Sequence, residues 1–285
     1  MLLLTMNHPA GFTAFRSGKM EIFSVTDGDV IYEDRCFAPG FPRALLGNNL
    51  RHFILPHNIL VLRFNNRVVM FDAGNGDYTA PEAGLLRYYL HAAGITPESI
   101  TDIILTHAHP DHINGLVGIG ERLMFPDARI HLSQAEYDFW MSDSPDFSKS
   151  KNAPAALLQM QQHIKGILAL LNSRLQLFNS TDALLEGIQP IAAAGHTPGH
   201  TLFAINTGEE QFIHMADTCH EDELLFRHPE WGTIFDIDFE QAARARQATL
   251  RELANKGQLV FGYHLPAPGF GKVIQAGDGF VWKPQ

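Results

Sequence analysis

The chain has 285 residues, 45% of them apolar and 18% charged, which excludes a disordered chain and allows one large globular unit or two small ones. With 21 basic against 31 acidic residues the net charge is −10, so the chain has no overall electrostatic footprint for nucleic acid. Two cysteines, Cys36 and Cys219, exclude a disulfide framework and a four-thiolate metal site, whereas 15 histidines are an outlying number whose placement matters.

The opening run MLLLTMNHPAGFTAF has three consecutive leucines and no basic residue ahead of them. It lacks a signal-peptide core, no stretch reaches the 18 or so apolar residues of a membrane helix, and a cytoplasmic location with no membrane partner is the expectation. Residues 20–33 read as two short strands around Asp27-Gly28, and 35–58, rich in Pro, Gly and Asn, as a long irregular excursion. ILVLRF (59–64) and RVVMFD (67–72) around Asn65-Asn66 read as a hairpin. A helix is expected from Pro81 to about Ala93, with Gly94 ending it. TDIILT (101–106) and ARIHLS (128–133) are strand-like, and Ser133 can cap a helix running through Trp140. A polar loop over 142–152 precedes AALLQMQQHIKGILALL (155–171), which has helical periodicity.

In the second half, IQPIAAA (188–194) leads into GHTPGH, and TLFAIN (201–206) with QFIHMA (211–216) suggests a second hairpin. Asp238 can cap a helix over 239–255 closed by Gly257, and QLVFGYH (258–264) is a last strand. Strands and helices that recur in each half are buried best by helices covering paired sheets.

Four of these strands end in metal-capable side chains: THAHPDH (His107, His109, Asp111, His112), GHTPGH (His196, His200), MAD (Asp217) and FGYH (His264). Neutral imidazole and carboxylate suit a borderline divalent ion such as zinc. Alternate residues after a strand share a face, so His107 and His109 point together, while Asp111 and His112 turn toward a second ion as a helix begins. The set divides into His107, His109 and His196 for one ion, Asp111, His112 and His264 for the other, and Asp217 between them. His57, His91, His131, His163, His214 and His228 stand in no such motif and read as structural or surface residues.

THAHPDH, GHTPGHT, MAD and YH together resemble the metallo-β-lactamase superfamily from about residue 20 to 275. The resemblance implies that the four loops converge and that the fold is α/β: a four-layer αββα sandwich of two mixed β-sheets flanked by helices. It implies one domain over 1–285, with an N-terminal extension or loop at 35–58 and a helical insert at about 139–171 near the pocket. It makes Asp72, in FDAGNG (71–76), a brace for the metal loops. His200 becomes a support rather than a ligand, with Thr197, Pro198 and Gly199 shaping the turn that aims His196. Within the superfamily, HMADTCHEDELLFRHPEW, a following D-x-D and YHLPAPGFGKV look like the branch of methyl-parathion-hydrolase-like enzymes and quorum-quenching lactonases. That branch implies two divalent ions, zinc first and manganese, iron or cobalt as alternatives, and a homodimer. Asp217 at the bridging position speaks against the secreted β-lactamases, and Cys219 reads as structural.

The function so implied is a binuclear metal-dependent hydrolase in which a hydroxide shared by both ions attacks a lactone or ester carbonyl, N-acyl-homoserine lactones included. Asp111 relays the proton to the leaving alkoxide. His220 falls where related lactonases place a substrate-contacting tyrosine, with a supporting or surface role as its alternative. Apolar side chains of 35–58 (Phe37, Phe41, Leu45, Leu46, Phe53, Ile54) and 139–171 (Phe139, Trp140, Phe147, Leu157, Met160) are candidate pocket walls, and no basic cluster lies near the motifs. A neutral lactone or ester substrate follows. The alternatives are a phosphotriesterase or aryl-esterase and, lacking a basic patch for glutathione, a glyoxalase-like thioesterase. A degenerate binding module would be expected to have lost ligands, and this chain fills every motif position.

Overall fold

The computed structural model describes residues 11–37, 39, 52–78 and 83–285. Two mixed sheets carry the fold. The first begins with β1 (Phe12–Ser17), β2 (Met20–Glu33), β3 (His52–Phe64) and β4 (Arg67–Phe71), antiparallel in turn, followed by β5 (Asp102–Ile104). A separate ribbon of β6 (Val117–Gly118) and β7 (Arg122–Leu123) intervenes. β8 (Arg129–Ser133) and β9 (Leu175–Phe178) then complete the first sheet in parallel with β4 and β5. The second sheet orders β10 (Ile188–Ala192), β11 (Thr201–Asn206), β12 (Gln211–His214), β13 (Leu259–Phe261), β14 (Phe270–Ala276) and β15 (Gly279–Pro284), with one parallel pair, β12–β13.

Period-two patterning explains the layers. Leu60 and Leu62 of β3, Val69 and Phe71 of β4, and Ile104 of β5 meet Phe203 and Ile205 of β11, Phe212 of β12 and Phe261 of β13 in the core between the sheets. Their sequence neighbours face outward: Ile59, Val61 and Met70 pack with α1 (Leu86–Ala92), and the same outer core includes Trp140 and Leu168. α2 (Pro110–Ile113) starts at the motif loop; Trp140 belongs to α3 (Gln134–Met141) and Leu168 to α4 (Pro154–Leu171). On the far side Leu202, Ala204 and Val260 pack with α5 (Leu224–Arg227) and α6 (Phe239–Lys256). Both sheets are therefore covered on both faces, which is why their strands read as near-continuous apolar runs. This is the expected sandwich of two mixed sheets between helices.

Local signals hold where local chemistry decides. Asn65 and Asn66 take φ of 47° and 61°, the left-handed pair a two-residue hairpin turn needs. Ser133 Oγ accepts from Glu136 N, Asp238 Oδ1 accepts from Gln241 N, and Gly257 ends α6 at φ 60°. Gly94 follows α1 at φ 71°; Pro81 lies outside the described residues, but 83–85 are not helical and the helix begins only at Leu86, later than expected. Two further expectations are corrected. Residues 20–33 form one strand, with a bulge between Thr26 and Gly28 instead of a turn. Residues 52–58 are not irregular: they pair with the far half of β2, Glu33 opposite His52, and Pro56 in their midst hid the strand. The pattern predicts none of β1, β6, β7, β9, β14 and β15, and the last two follow the 258–264 strand expected to be final.

Candidate metal centre

The site forms where strands of both sheets end on one edge of the sandwich. Thr201 N donates across the sheets to Thr106 O at 3.0 Å, and Asn58 N donates to Tyr263 O at 2.9 Å. These bonds tie the loop after β5 to the start of β11, and β3 to the loop after β13. β12 and β13 are parallel neighbours, so the segments carrying Asp217 and His264 leave the second sheet at the same end. Pro110 at the first turn of α2 turns the chain so that Asp111 and His112 follow His109 into the same space.

The predicted residues are brought together. His107, His109 and His196 form one group, and Asp111, His112, Asp217 and His264 another, each with its ligand atoms within 4.8 Å of one another. His196 Nε2 lies 2.9 Å from His109 Nδ1 and 3.2 Å from His107 Nε2. Asp217 Oδ2 lies between the groups: 3.8 Å from His107 Nε2, 3.5 Å from His196 Nε2, 3.3 Å from His112 Nε2 and 3.2 Å from His264 Nε2. His220 joins a third set with His196 and Asp217, its Nε2 3.4 Å from Asp217 Oδ2.

Outer partners determine which ring nitrogen faces inward. His112 Nδ1 meets Asp72 Oδ2 at 3.0 Å, His196 Nδ1 meets Asp236 Oδ1 at 2.9 Å, and His264 Nδ1 meets Pro56 O at 3.2 Å. Each of these oxygens only accepts, so each Nδ1 donates and each Nε2 is the nitrogen left to face the centre. The Thr106 hydroxyl donates to Asp72 Oδ2 at 2.9 Å, which leaves its oxygen to accept from His107 Nδ1 at 3.0 Å. Asp72, held at φ 63°, also accepts from Thr106 N at 2.8 Å, so it spans the motif loop as a brace.

The electrostatics suit cations. Burial, helped by neighbouring imidazoles, pulls His107 and His109 well below the ordinary histidine value, which keeps them neutral. Burial also opposes charge on His112 and His264, but nearby carboxylates, Asp217 above all, outweigh it, raising His112 well above its usual value and His264 to about 9. Burial would lift Asp217, yet His112 and His264 hold it well below the carboxylate range. Without a metal, protons sit on imidazoles where positive charge is wanted. Buried Asp217 Oδ1 and His112 Nε2 have no hydrogen-bond partner among the described residues, and this donor set fits a binuclear divalent metal site.

Several supports escaped the sequence reading. Glu136, fully buried in α3, accepts from Ala108 N at 2.9 Å, Thr197 Oγ1 at 2.7 Å, Gly199 N at 2.8 Å and Trp140 Nε1 at 2.6 Å, pinning the two histidine loops together. Tyr263 stacks on His112, with centroids 4.1 Å apart, and donates to Asp111 O at 2.7 Å. Asp236 belongs to the D-x-D already noticed and is backed by buried Arg246. His200 Nε2 accepts from Asp217 N at 3.1 Å, in keeping with a support role. Cys219 is a buried free thiol pushed up to about 12 by burial. His57 does not lie apart from the site: its ring centroid is 4.7 Å from that of His264.

A cavity of about 310 Å³ opens over Asp111, Asp217, His220 and His264, with Tyr32, Leu55, Ala156, Met160 and Phe235 as apolar walls. No lysine or arginine lines it among the described residues. Of the expected wall residues Met160 is there. Phe37, Trp140 and Leu157 are core, Phe53, Phe139 and Phe147 pack partly buried against it, and Ile54 faces solvent at 62% exposure. Phe41, Leu45 and Leu46 lie outside the described residues. No helix among the described residues is long and apolar enough to cross a membrane.

The model of the metallo-β-lactamase superfamily matches residues 53–264. No curated protein matches the chain. Among solved structures, the dizinc quorum-quenching lactonase AidC, in complex with the product N-hexanoyl-L-homoserine, is 33% identical, with 96% of this chain and 97% of that one covered and a TM-score of 0.90. The hydrolase AbOPH of the β-lactamase superfamily is 26% identical over 98% and 99% of the chains, with a TM-score of 0.88. A probable metal-dependent hydrolase from Staphylococcus aureus shares the fold at 19% identity over 95% and 99%, with a TM-score of 0.76. The chain belongs to the metallo-β-lactamase superfamily and is a metal-dependent hydrolase.

Proposed function

We propose that the protein is a dizinc hydrolase of neutral lactones or esters, with N-acyl-homoserine lactones as the leading substrate class. The observation that carries this is the pairing of one carboxylate oxygen, Asp217 Oδ2, with imidazoles of both groups, beneath a cavity walled by apolar side chains. The dizinc lactonase similarity supports the same reading. His107, His109 and His196 would hold one ion, Asp111, His112 and His264 the other, and Asp217 both.

Two such ions supply a water acidified toward neutral pH and a Lewis acid for the scissile oxygen. The chain's own residues do the rest. Tyr32, Leu55, Met160 and Phe235 bind an apolar acyl portion and exclude water around the scissile bond. Asp111 Oδ2, 3.4 Å from His264 Nε2, takes up the attacking water's proton and delivers it to the leaving alkoxide. His220, kept neutral by burial with its pKa near 4, lines the cavity and donates an N–H to the substrate oxygen where charge develops.

The test is a panel: a medium-chain acyl-homoserine lactone, an aryl ester and a neutral phosphotriester, each with and without chelator. Lactone turnover well above the others, lost on chelation and restored by zinc or manganese, is expected. Preference for the triester, which the uncharged cavity also admits, would move the enzyme to the phosphotriesterase reading. A His220→Ala variant with unchanged kcat/KM and metal content would end the catalytic role given to His220.

A further inference from the structure

Behind Asp111 lies a buried polar chain that begins at the β2 bulge. Asp27 lies at the register shift between Thr26 and Gly28 and is fully buried. Its carboxylate accepts from Asn75 N at 2.7 Å, Asn75 Nδ2 at 2.8 Å and Leu86 N at 2.9 Å. Gly74, at φ 71°, permits this approach, since a Cβ there would lie 2.6 Å from the Asp27 carboxyl carbon.

A carboxylate only accepts, so the Asn75 amide must turn its NH2 toward Asp27. The same NH2 meets His57 Nδ1, which must therefore accept. A neutral imidazole that accepts at Nδ1 carries its proton on Nε2. His57 Nε2 is buried without a hydrogen-bond partner among the described residues, and it faces Asp111 Oδ2 at 3.9 Å. The ring cannot swing away easily, because it is wedged edge-on against His264 and tilted against Tyr263.

We propose that His57 is a positioning residue whose Nε2–H, set as the donor by Asn75 and Asp27, aims the Asp111 carboxylate at the second ion. The inference rests on the ligand assignment above. The oxygen that His57 Nε2 faces, Asp111 Oδ2, also lies 3.4 Å from His264 Nε2 and 3.7 Å from His112 Nε2, so a donor at His57 acts on the oxygen turned toward the second group. Such outer partners typically govern metal affinity as well as rate.

Cobalt(II) titration of the metal-free full chain, followed by visible absorption and calorimetry, tests it. The parent is expected to bind two equivalents. His57→Phe should leave the first intact and weaken the second by roughly 10- to 100-fold, and His57→Gln, which keeps an N–H in reach, should recover most of the loss. A second equivalent bound by His57→Phe within about twofold of the parent overturns the proposal, as does a His57→Gln variant as impaired as His57→Phe, which would point to packing alone. Should His57→Phe fail to fold, Asn75→Leu leaves His57 in place and releases its tautomer. Weakening of the second ion there supports the proposal, and unchanged affinity overturns it. A parent that binds one ion overturns the ligand assignment itself, a result read before any variant is made.

Discussion

The two ends of strand β5 carry buried carboxylates in opposite company. At its start Asp102 accepts from Arg67 at 2.8 Å, His131 at 3.0 Å and the Thr101 hydroxyl at 2.8 Å, and forms an ion pair with Arg129 at 3.0 Å. Beyond its other end Asp72, Asp111 and Asp217 pair with imidazoles, and no lysine or arginine forms an ion pair with any of them among the described residues. The difference is one of chemistry. A guanidinium is charged at every working pH and neutralises its carboxylate for good. An imidazole can surrender its proton and turn the lone pair to a cation. The first arrangement holds structure, and the second holds negative charge in reserve for metal.

The sharpest way to break the comparison is to remove the central charge. Asp217→Asn should lower kcat/KM by about 100-fold or more and reduce the bound metal, measured by elemental analysis, because one oxygen serves both donor groups. Glu136→Gln comes next. It offers an NH2 to a ring of donors, so thermal unfolding should show a loss of about 2–3 kcal/mol with weaker binding of the first ion. Asp102→Asn should cost only about 1–2 kcal/mol, since Arg67 and Arg129, 37% and 53% exposed, rehydrate when their partner goes. Its metal content and kcat/KM should match the parent, and a fall in either would mean that the two ends of β5 are coupled.

The smallest effect is in pH, where the two ends should respond with opposite sign. At Asp102 burial raises the pKa, but the hydrogen bonds from His131, Thr101 and Arg67 and the charge of Arg129 outweigh it, and the folded value lies below the unfolded one. Its stabilisation is present above about pH 4 and lost as pH falls below that. His264 in the metal-free protein is raised to about 9, so its contribution is present below about pH 6.5 and lost as pH rises toward 9. Melting the metal-free parent and Asp102→Asn across this range checks both signs.

Much of this molecule is legible from residues close in sequence. The Asn65-Asn66 turn, the Ser133 and Asp238 caps and the Gly257 stop each follow from the backbone needs of a few adjacent positions. THAHPDH, GHTPGH, MAD and YH were likewise readable, because metal-capable side chains seldom cluster four times over at strand ends. What was lost depends on partners far along the chain. The 20–33 segment looked broken because Asp27-Gly28 is a good turn, and it stays one strand because β3 pairs along both halves. Glu136 and His57 stand in no motif, and Tyr263, though part of YH, acts on Asp111 from 152 residues away; Glu136 reaches Ala108 over 28 residues, and His57 packs against the ring of His264.

By itself the sequence determined the alternation that buries both faces of two sheets, the caps and turns that end their elements, and the chemical kind of the site, since these depend on local geometry and side-chain identity. The tertiary structure decided that both donor groups meet at one oxygen of Asp217, that Glu136 pins two loops together, and which nitrogen each histidine turns inward. Those outcomes depend on partners that packing brings together from distant parts of the chain: the Asp72 and Asp236 side chains, the Pro56 carbonyl and the Ala108 and Gly199 amides, none of which has its partner marked by its sequence neighbours.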